Sequence, residues 1–373
     1  MTKSNIDSVA VRGRQQRLLA EIRALDVDLA IVNLPEHVQW LIGPFVWRLV
    51  QTAAALWRDG HAVVVAPPKK FAGAVADDVH EYQAQLHSTL RNDQRHACST
   101  VLVEALRQRG KPRRIGVEFS TFDVHTAQAL AAAWGDIEWI DLDPTLYRLR
   151  RRKDADELAR LRHAIAATGK MYAHAREIIR PGVNELDVFN ELQSVAVRHL
   201  GEMLTWTGND YACGARGGPP RDRAIEAGEL YILDLGPAFR GYNADTCRAI
   251  AVDGKPTEDQ RRAWRHVAEV FPIVERTVKP GESCRALFDE CKHWLGEFGE
   301  AKFDHHLGHG IGLFPHEAPH LNPNWDDKFE VGDVFTAEPG LYAEHLRAGL
   351  RLENDYLVTE NGVELLSDFP LDM

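Results

Sequence analysis

The sequence predicts an α/β protein of two domains, the second of α+β character and built from two similar halves. Three observations predict this. The chain has 373 residues, and domains run to roughly 150 residues each. Its first 150 residues alternate short apolar runs with helical patterns, the signature of a layered α/β domain. Its remainder carries the same helix–Pro-Gly–helix unit twice, each copy followed by strand-like apolar runs.

Residues 11–25 form an amphipathic helical pattern. DLAIVNL (28–34) is a short apolar run that reads as a buried strand. HAVVVAPP (61–68) is a second, stopped by two prolines, and RRIGVEF (113–119) and DIEWIDLD (136–143) are the third and fourth. Helical patterns, STVLVEALRQRG and TAQALAAAWG, lie between them. At 144–153 the texture turns basic and polar, and a long helical pattern follows with Asp154 or Asp156 placed to cap it. The domain boundary is therefore expected near residue 148, dividing 1–148 from 149–373. The basic run RLRRRK reads as a solvated interdomain joint, not a nucleic-acid patch.

In the second domain, Pro181-Gly182 aligns with Pro280-Gly281, Phe189 with Phe288 and Glu191 with Glu290. In both copies a helix ends at Arg/Lys-Pro-Gly and another starts at a polar cap, Asn184 or Ser283. Two copies suit one domain made of two halves with a site at their interface.

Composition excludes several functions. Lys plus Arg number 44 against 55 Asp plus Glu, a formal charge of −11, which argues against a protein that binds nucleic acid by neutralising phosphates. Hydrophobic residues at 45% and charged ones at 27% are those of a globular chain. No apolar run approaches the roughly 18 residues of a membrane span, and the charged start has no signal-peptide core. Five cysteines without a Cys-x-x-Cys pair fit reduced thiols and a cytoplasmic protein.

The chemistry lies in the acidic strands. Asp234 sits inside the apolar run of ELYILDLGPAFRGYNADTCRAIAV (229–252), and Asp245 lies on its return arm. A buried unpaired carboxylate costs several kcal/mol, so these must be paired, neutralised or bound to a cation. The device recurs with Glu338 in DVFTAEPGLY and Glu353 in LRAGLRLENDYLVTENG. Between the pairs lies DHHLGHGIGLFPHEAPH (304–320), where His309 is flanked by Gly308 and Gly310. Small flanks let backbone approach closely. Four acids and a histidine are too oxygen-rich for structural zinc. They suit two divalent ions, manganese first, with cobalt, iron or zinc as alternatives. Two such ions hold a bridging hydroxide and polarise a carbonyl, which is hydrolase equipment.

The order Asp–Asp–His–Glu–Glu, with GHGIGL…HEAP, TAEPGLY and RLEN around the last three, resembles the creatinase/prolidase/aminopeptidase P superfamily of "pita-bread" metalloenzymes. LPEHVQWLIGPF (34–45) resembles a segment of that family's N-terminal domain, and the joint resembles its Arg-x-x-Lys entry. The resemblance implies a creatinase-like N-terminal α/β domain and a pita-bread catalytic domain of two pseudo-symmetric halves. It implies that Asp234 chelates one metal, that Asp245 and Glu353 bridge both, and that His309 and Glu338 complete the second. Glu338 would also be the general base. His316 would polarise the substrate carbonyl, His305 would line the substrate pocket, and Arg351 would orient Glu353 or a substrate group. A homodimer is the implied assembly, and Trp40, Trp47 and Trp57 are pocket-wall or core candidates. The implied reaction is Xaa-Pro peptide cleavage, of aminopeptidase P or prolidase type. The alternatives are a same-fold enzyme for a small non-peptide substrate (creatinase, ectoine hydrolase or dimethylsulfoniopropionate lyase type) and a non-catalytic binding homologue.

Two positions depart from the family pattern. Gly217 stands where these peptidases carry a pocket histidine, and Glu229 replaces an aspartate. Restoring histidine at 217 is expected to raise Xaa-Pro activity.

Overall fold

The structure is a computed structural model that describes residues 6–68 and 71–373. The chain divides into two compact units, Met1–Arg150 and Arg151–Met373.

The first unit runs α1 (Ser8–Ala24), β1 (Leu29–Val32), α2 (Pro35–Ile42), β2 (Ala53–Trp57), β3 (Ala62–Ala66), β4 (Asp78–Glu81), the short hairpin β5 (Gln85–Leu86) and β6 (Thr89–Leu90), α3 (Gln94–Arg107), β7 (Arg114–Val117), α4 (Val124–Trp134), β8 (Glu138–Asp141) and α5 (Asp143–Arg151). Six strands form one sheet in the order β4-β3-β2-β1-β7-β8. The four apolar runs of the sequence are β1, β3, β7 and β8. β2 was hidden because AAALW is alanine-rich, and alanine favours helix. It is a strand because it pairs with both β1 and β3 and is buried. Helix α2 starts on Pro35, and the carboxylate of buried Glu118 accepts from the Asn33 and Leu34 amides just ahead of it, at 2.8 and 3.2 Å. Trp40 and Trp57 are buried, and Trp47 is partly exposed beside Phe45.

The basic run after residue 147 is not a solvated joint. It ends α5, and Arg151 and Lys153 are buried and paired. Arg151 donates to both oxygens of Asp333, at 2.9 and 2.6 Å, and Lys153 Nζ donates to Glu317 at 2.5 Å. These carboxylates lie more than 160 residues away, so no local pattern in the chain points to them.

The second unit begins with α6 (Ala155–Ile178), opened by an Asp154/Glu157 capping box, then α7 (Glu185–Leu200), β9 (Trp206–Asp210), β10 (Leu230–Phe239), β11 (Tyr242–Asn243) and β12 (Thr246–Ala251). The second half follows with α8 (Glu258–Ala268), α9 (Val270–Thr277), α10 (Cys284–Gly296), β13 (Gly308–Gly310), β14 (Glu317–Leu321), β15 (Val334–Ala337), β16 (Gly340–Leu341), a 3-10 turn at Glu344–Leu346, β17 (Leu350–Arg351), β18 (Asn354–Thr359) and β19 (Gly362–Leu365). The two halves repeat in detail. Gly182 N donates to Ile225 O and Gly281 N to Phe329 O, each at 2.8 Å. Glu185 N reaches Arg223 O, and Cys284 N reaches Asp327 O. Both glycines have φ +92°, the left-handed conformation that favours this residue.

Each half packs its helices on one face of its own antiparallel sheet. Tyr231, Leu233 and Leu235 of β10 join one core with α6 and α7. The intervening Ile232 groups instead with Cys247 and Tyr342. Side chains alternate along a strand, so Asp234 shares the Ile232 face, away from α6 and α7. The helices thus fix which face each acid occupies.

Candidate metal centre

Asp234 lies in mid-β10, where it opposes Cys247 of β12 and Asp210 of β9. Asp245 immediately precedes β12. Glu353 N donates to Cys247 O at 3.0 Å, which brings the β17–β18 link beside it. His309 is the middle residue of β13, and Glu338 follows β15, its amide donating to Leu307 O at 2.7 Å. The flanking glycines of His309 are required sterically. A Cβ at Gly308 would sit 2.0 Å from Thr336 O, and one at Gly310 would sit 2.1 Å from Ala318 O.

All five expected ligands are buried and face one cavity of about 460 Å³. His309 Nε2 lies 3.5 Å from Glu338 Oε1 and 3.7 Å from Asp245 Oδ2. Asp245, His309 and Glu353 each offer a ligand atom within 4.8 Å of the others. Burial raises the pKa of Asp245 and Glu353 well above the ordinary carboxylate value, the charges of Asp234 and Glu338 push the same way, and Asp245 adds to the push on Glu353. Burial also raises Asp234, against the opposing charge of Arg351. Glu353 Oε2 has no hydrogen-bond partner. Burial holds His309 neutral, at about 3, the form in which imidazole ligates. Mutually repelling buried carboxylates, an orphaned oxygen and a neutral imidazole fit divalent cations, with oxygen donors dominating.

Glu338 behaves differently from the other acids. Burial is the largest single influence and opposes its ionisation, but His306, with its ring Nε2 2.6 Å from Glu338 Oε1, together with His309 and His305 outweighs it and holds the carboxyl at about 2. His306 was missed in the sequence, where it stood unremarked beside His305. His305 Nδ1 lies 2.7 Å from His306 O and so carries the proton, which leaves Nε2 to accept from the Tyr342 hydroxyl at 2.9 Å. Burial lowers His305 to about 4. His316 is accessible in the cavity and stacks on His309, ring centroids 3.6 Å apart.

Arg351 does not hold Glu353. Its guanidinium bonds Asp234 Oδ2 at 2.6 Å and Asp210 Oδ2, and its other nitrogen donates to Arg216 O and the Tyr342 hydroxyl at 3.1 and 3.3 Å. It is a clamp between β9, β10 and β17. Asp210 also accepts from Gly218 N at 2.6 Å. A Cβ on Gly217 would lie 2.4 Å from Asp210 Oδ2, so the carboxylate fills the space that a side chain at 217 needs. The expected gain from Gly217→His alone is therefore withdrawn. Asp210, Arg216 and Tyr342 also line the cavity. Tyr342 belonged to a noticed motif, whereas Asp210, in WTGND, carried no sequence signal.

Residues 159–360 match metallopeptidase family M24, and residues 14–152 match the creatinase/prolidase N-terminal domain. An uncharacterised peptidase of Staphylococcus epidermidis is 30% identical over 258 residues, 68% of this chain and 73% of that protein. The fold is shared with solved structures of other proteins. The Xaa-Pro dipeptidase of Bacillus anthracis superposes with TM-score 0.82 at 23% identity, over 97% of this chain and 99% of that one. The X-Pro aminopeptidase of Thermotoga maritima gives 0.80 at 22% identity, over 96% and 98%.

Proposed function

Since this chain belongs to metallopeptidase family M24, we propose that it is a dinuclear-metal hydrolase that cleaves Xaa-Pro peptide bonds. The observation that carries the reading is the buried set Asp234, Asp245, His309, Glu338 and Glu353 around one cavity, which His305, His306 and His316 also line. These five residues would hold two divalent ions, manganese first. Bound there, such ions supply Lewis acidity and lower the pKa of water.

The chain's own groups divide the remaining work. Glu338, ionised near neutrality, takes a proton on its carboxylate as general base. His316, kept neutral mainly by burial, donates to the oxyanion that develops on the substrate carbonyl. His305, oriented by Tyr342 and the His306 carbonyl, forms a pocket wall. Arg351 positions Asp234 through the Asp210 clamp. A cytoplasmic setting is supported by five buried free thiols. No described helix is long and apolar enough to cross a membrane. A homodimer is the assembly the family resemblance implies.

The test is a panel of Xaa-Pro and Xaa-Pro-Xaa peptides with the manganese-loaded protein, beside Glu338→Gln. Proline-bond cleavage that falls at least 1,000-fold in the variant, with melting within a few degrees of native, supports the reading. Absence of turnover across the panel rejects the peptidase assignment. Undiminished turnover in Glu338→Gln rejects the base.

A further inference from the structure

Two histidines stand side by side at the cavity, and their nitrogens are committed differently. His305 Nδ1 donates to His306 O, and its Nε2 accepts from the Tyr342 hydroxyl, so neither nitrogen keeps a lone pair for another partner. The His306 ring turns instead to the metal centre. Its Nε2 lies 2.6 Å from Glu338 Oε1, the same oxygen that faces His309 Nε2 at 3.5 Å. His309 Nδ1 lies 3.1 Å from Gly310 O and carries the proton, which leaves its Nε2 lone pair to the cavity. The rings of His306 and His309 are nearly perpendicular, at 81°, with centroids 5.4 Å apart, and each offers a ligand nitrogen within 4.8 Å of the other. Two imidazole nitrogens and a carboxylate oxygen thus meet on one side of the cavity. His306 lies outside the five ligands of the proposed centre, in which Asp234, Asp245 and Glu353 offer one ion oxygen donors alone.

We propose that His306 is a sixth metal ligand, which with His309 and Glu338 makes one of the two metal subsites imidazole-rich and selective for a zinc-class ion over manganese. The inference rests on the metal-centre reading and not on the peptidase assignment. Three features carry it. Imidazole suits zinc and its neighbours, whereas carboxylate sets suit manganese and magnesium, so a second imidazole changes what the subsite prefers. The ring is already held against Glu338 and is one-third exposed, so little ordering remains to be done when an ion arrives. A cation between Nε2 and Oε1 takes the place of the proton that those atoms share, and the charge of Glu338 stays answered. His305, with both nitrogens engaged, has no such capacity. His316 stacks on His309 at the exposed side of the group and keeps its place towards substrate.

The test counts imidazoles on zinc by X-ray absorption in protein loaded with one equivalent of zinc, native, His306→Gln and His316→Gln, and measures zinc and manganese affinity by chelator competition. The native protein should show two imidazoles on its zinc. His306→Gln should show one, and should bind zinc about tenfold or more weakly, with manganese affinity changing less. His316→Gln should keep two. One imidazole in the native protein, or a second that is lost in His316→Gln and kept in His306→Gln, overturns the proposal. So does unchanged or tighter zinc binding in His306→Gln, the result expected if His306 is only a cationic partner of Glu338 that competes with the ion. If His306→Gln fails to fold, the native and His316→Gln counts decide: two in both supports the proposal, and any other result overturns it. A native protein that binds no zinc or manganese rejects the metal centre itself, whereas binding through a single imidazole rejects His306 alone.

Discussion

Gly217→Ala adds one carbon and should destabilise this protein more than any ordinary glycine replacement in a loop. The new Cβ would lie 2.4 Å from Asp210 Oδ2, 2.6 Å from its Cγ and 2.7 Å from its Oδ1. No contact that short survives, so Asp210 must rotate away. It then gives up the Gly218 amide and the Arg351 guanidinium. Overpacking costs about 1–3 kcal/mol, and a lost charge-assisted hydrogen bond about 1.5–3. The Asp210 side chain is 23% exposed, so water recovers part of that loss, and the sum is about 2–4 kcal/mol. At roughly 2–4 °C per kcal/mol for a unit the size of residues 151–373, melting should fall on the order of 10 °C. Asp210→Ala removes the obstruction. The double variant should therefore melt near Asp210→Ala alone, a coupling of at least about 1 kcal/mol in a double-mutant cycle. Thermal and urea melts of the four proteins supply the cycle. Native-like melting of Gly217→Ala, or additivity within about 0.5 kcal/mol, would refute the argument. The same geometry explains why a histidine at 217 needs Asp210→Gly beside it before Xaa-Pro turnover can rise.

Two further outcomes follow from buried charge. Lys153→Met leaves Glu317 without the cation it holds at 2.5 Å in a buried pair, and should cost about 3–5 kcal/mol, read by urea unfolding, because breaking one partner of such a pair strands the other; a cost below about 1 kcal/mol would show that the pair is dispensable. Without metal, Asp245 and Glu353 have raised pKa values, so the native state binds more protons than the unfolded one and their contribution is lost as pH rises through those values. His309, lowered to about 3, works the other way below its unfolded value, about 6.5, but is neutral in both states above it. Melting of the EDTA-treated protein should therefore fall as pH rises beyond the range in which His309 contributes, and manganese should remove that slope. A flat profile without metal would show that these carboxylates are not mutually strained.

Much of the site was legible because burying a carboxylate among apolar strand residues is expensive, so Asp234, Asp245, Glu338 and Glu353 stood out against their neighbours. His309 stood out through glycines that the backbone of Thr336 and Ala318 makes obligatory. The helix–Pro-Gly–helix repeat was legible because caps and turns are local. β2 was not, since its strand state comes from partners on either side and not from its alanines.

The sequence by itself determined the four carboxylates set in apolar strands, the glycine-flanked His309 and the duplicated helix pair, since each is written in short-range pattern and in the high cost of isolated buried charge. The tertiary structure decided which cations answer which anions. Arg351 meets Asp210 and Asp234 across more than a hundred residues, His306 with its neighbouring histidines overrides the burial of Glu338, and Asp210 fills the room beside Gly217. Pairings of that kind depend on which strands lie side by side and on ångström-scale space, and neither is encoded in the local order of residues.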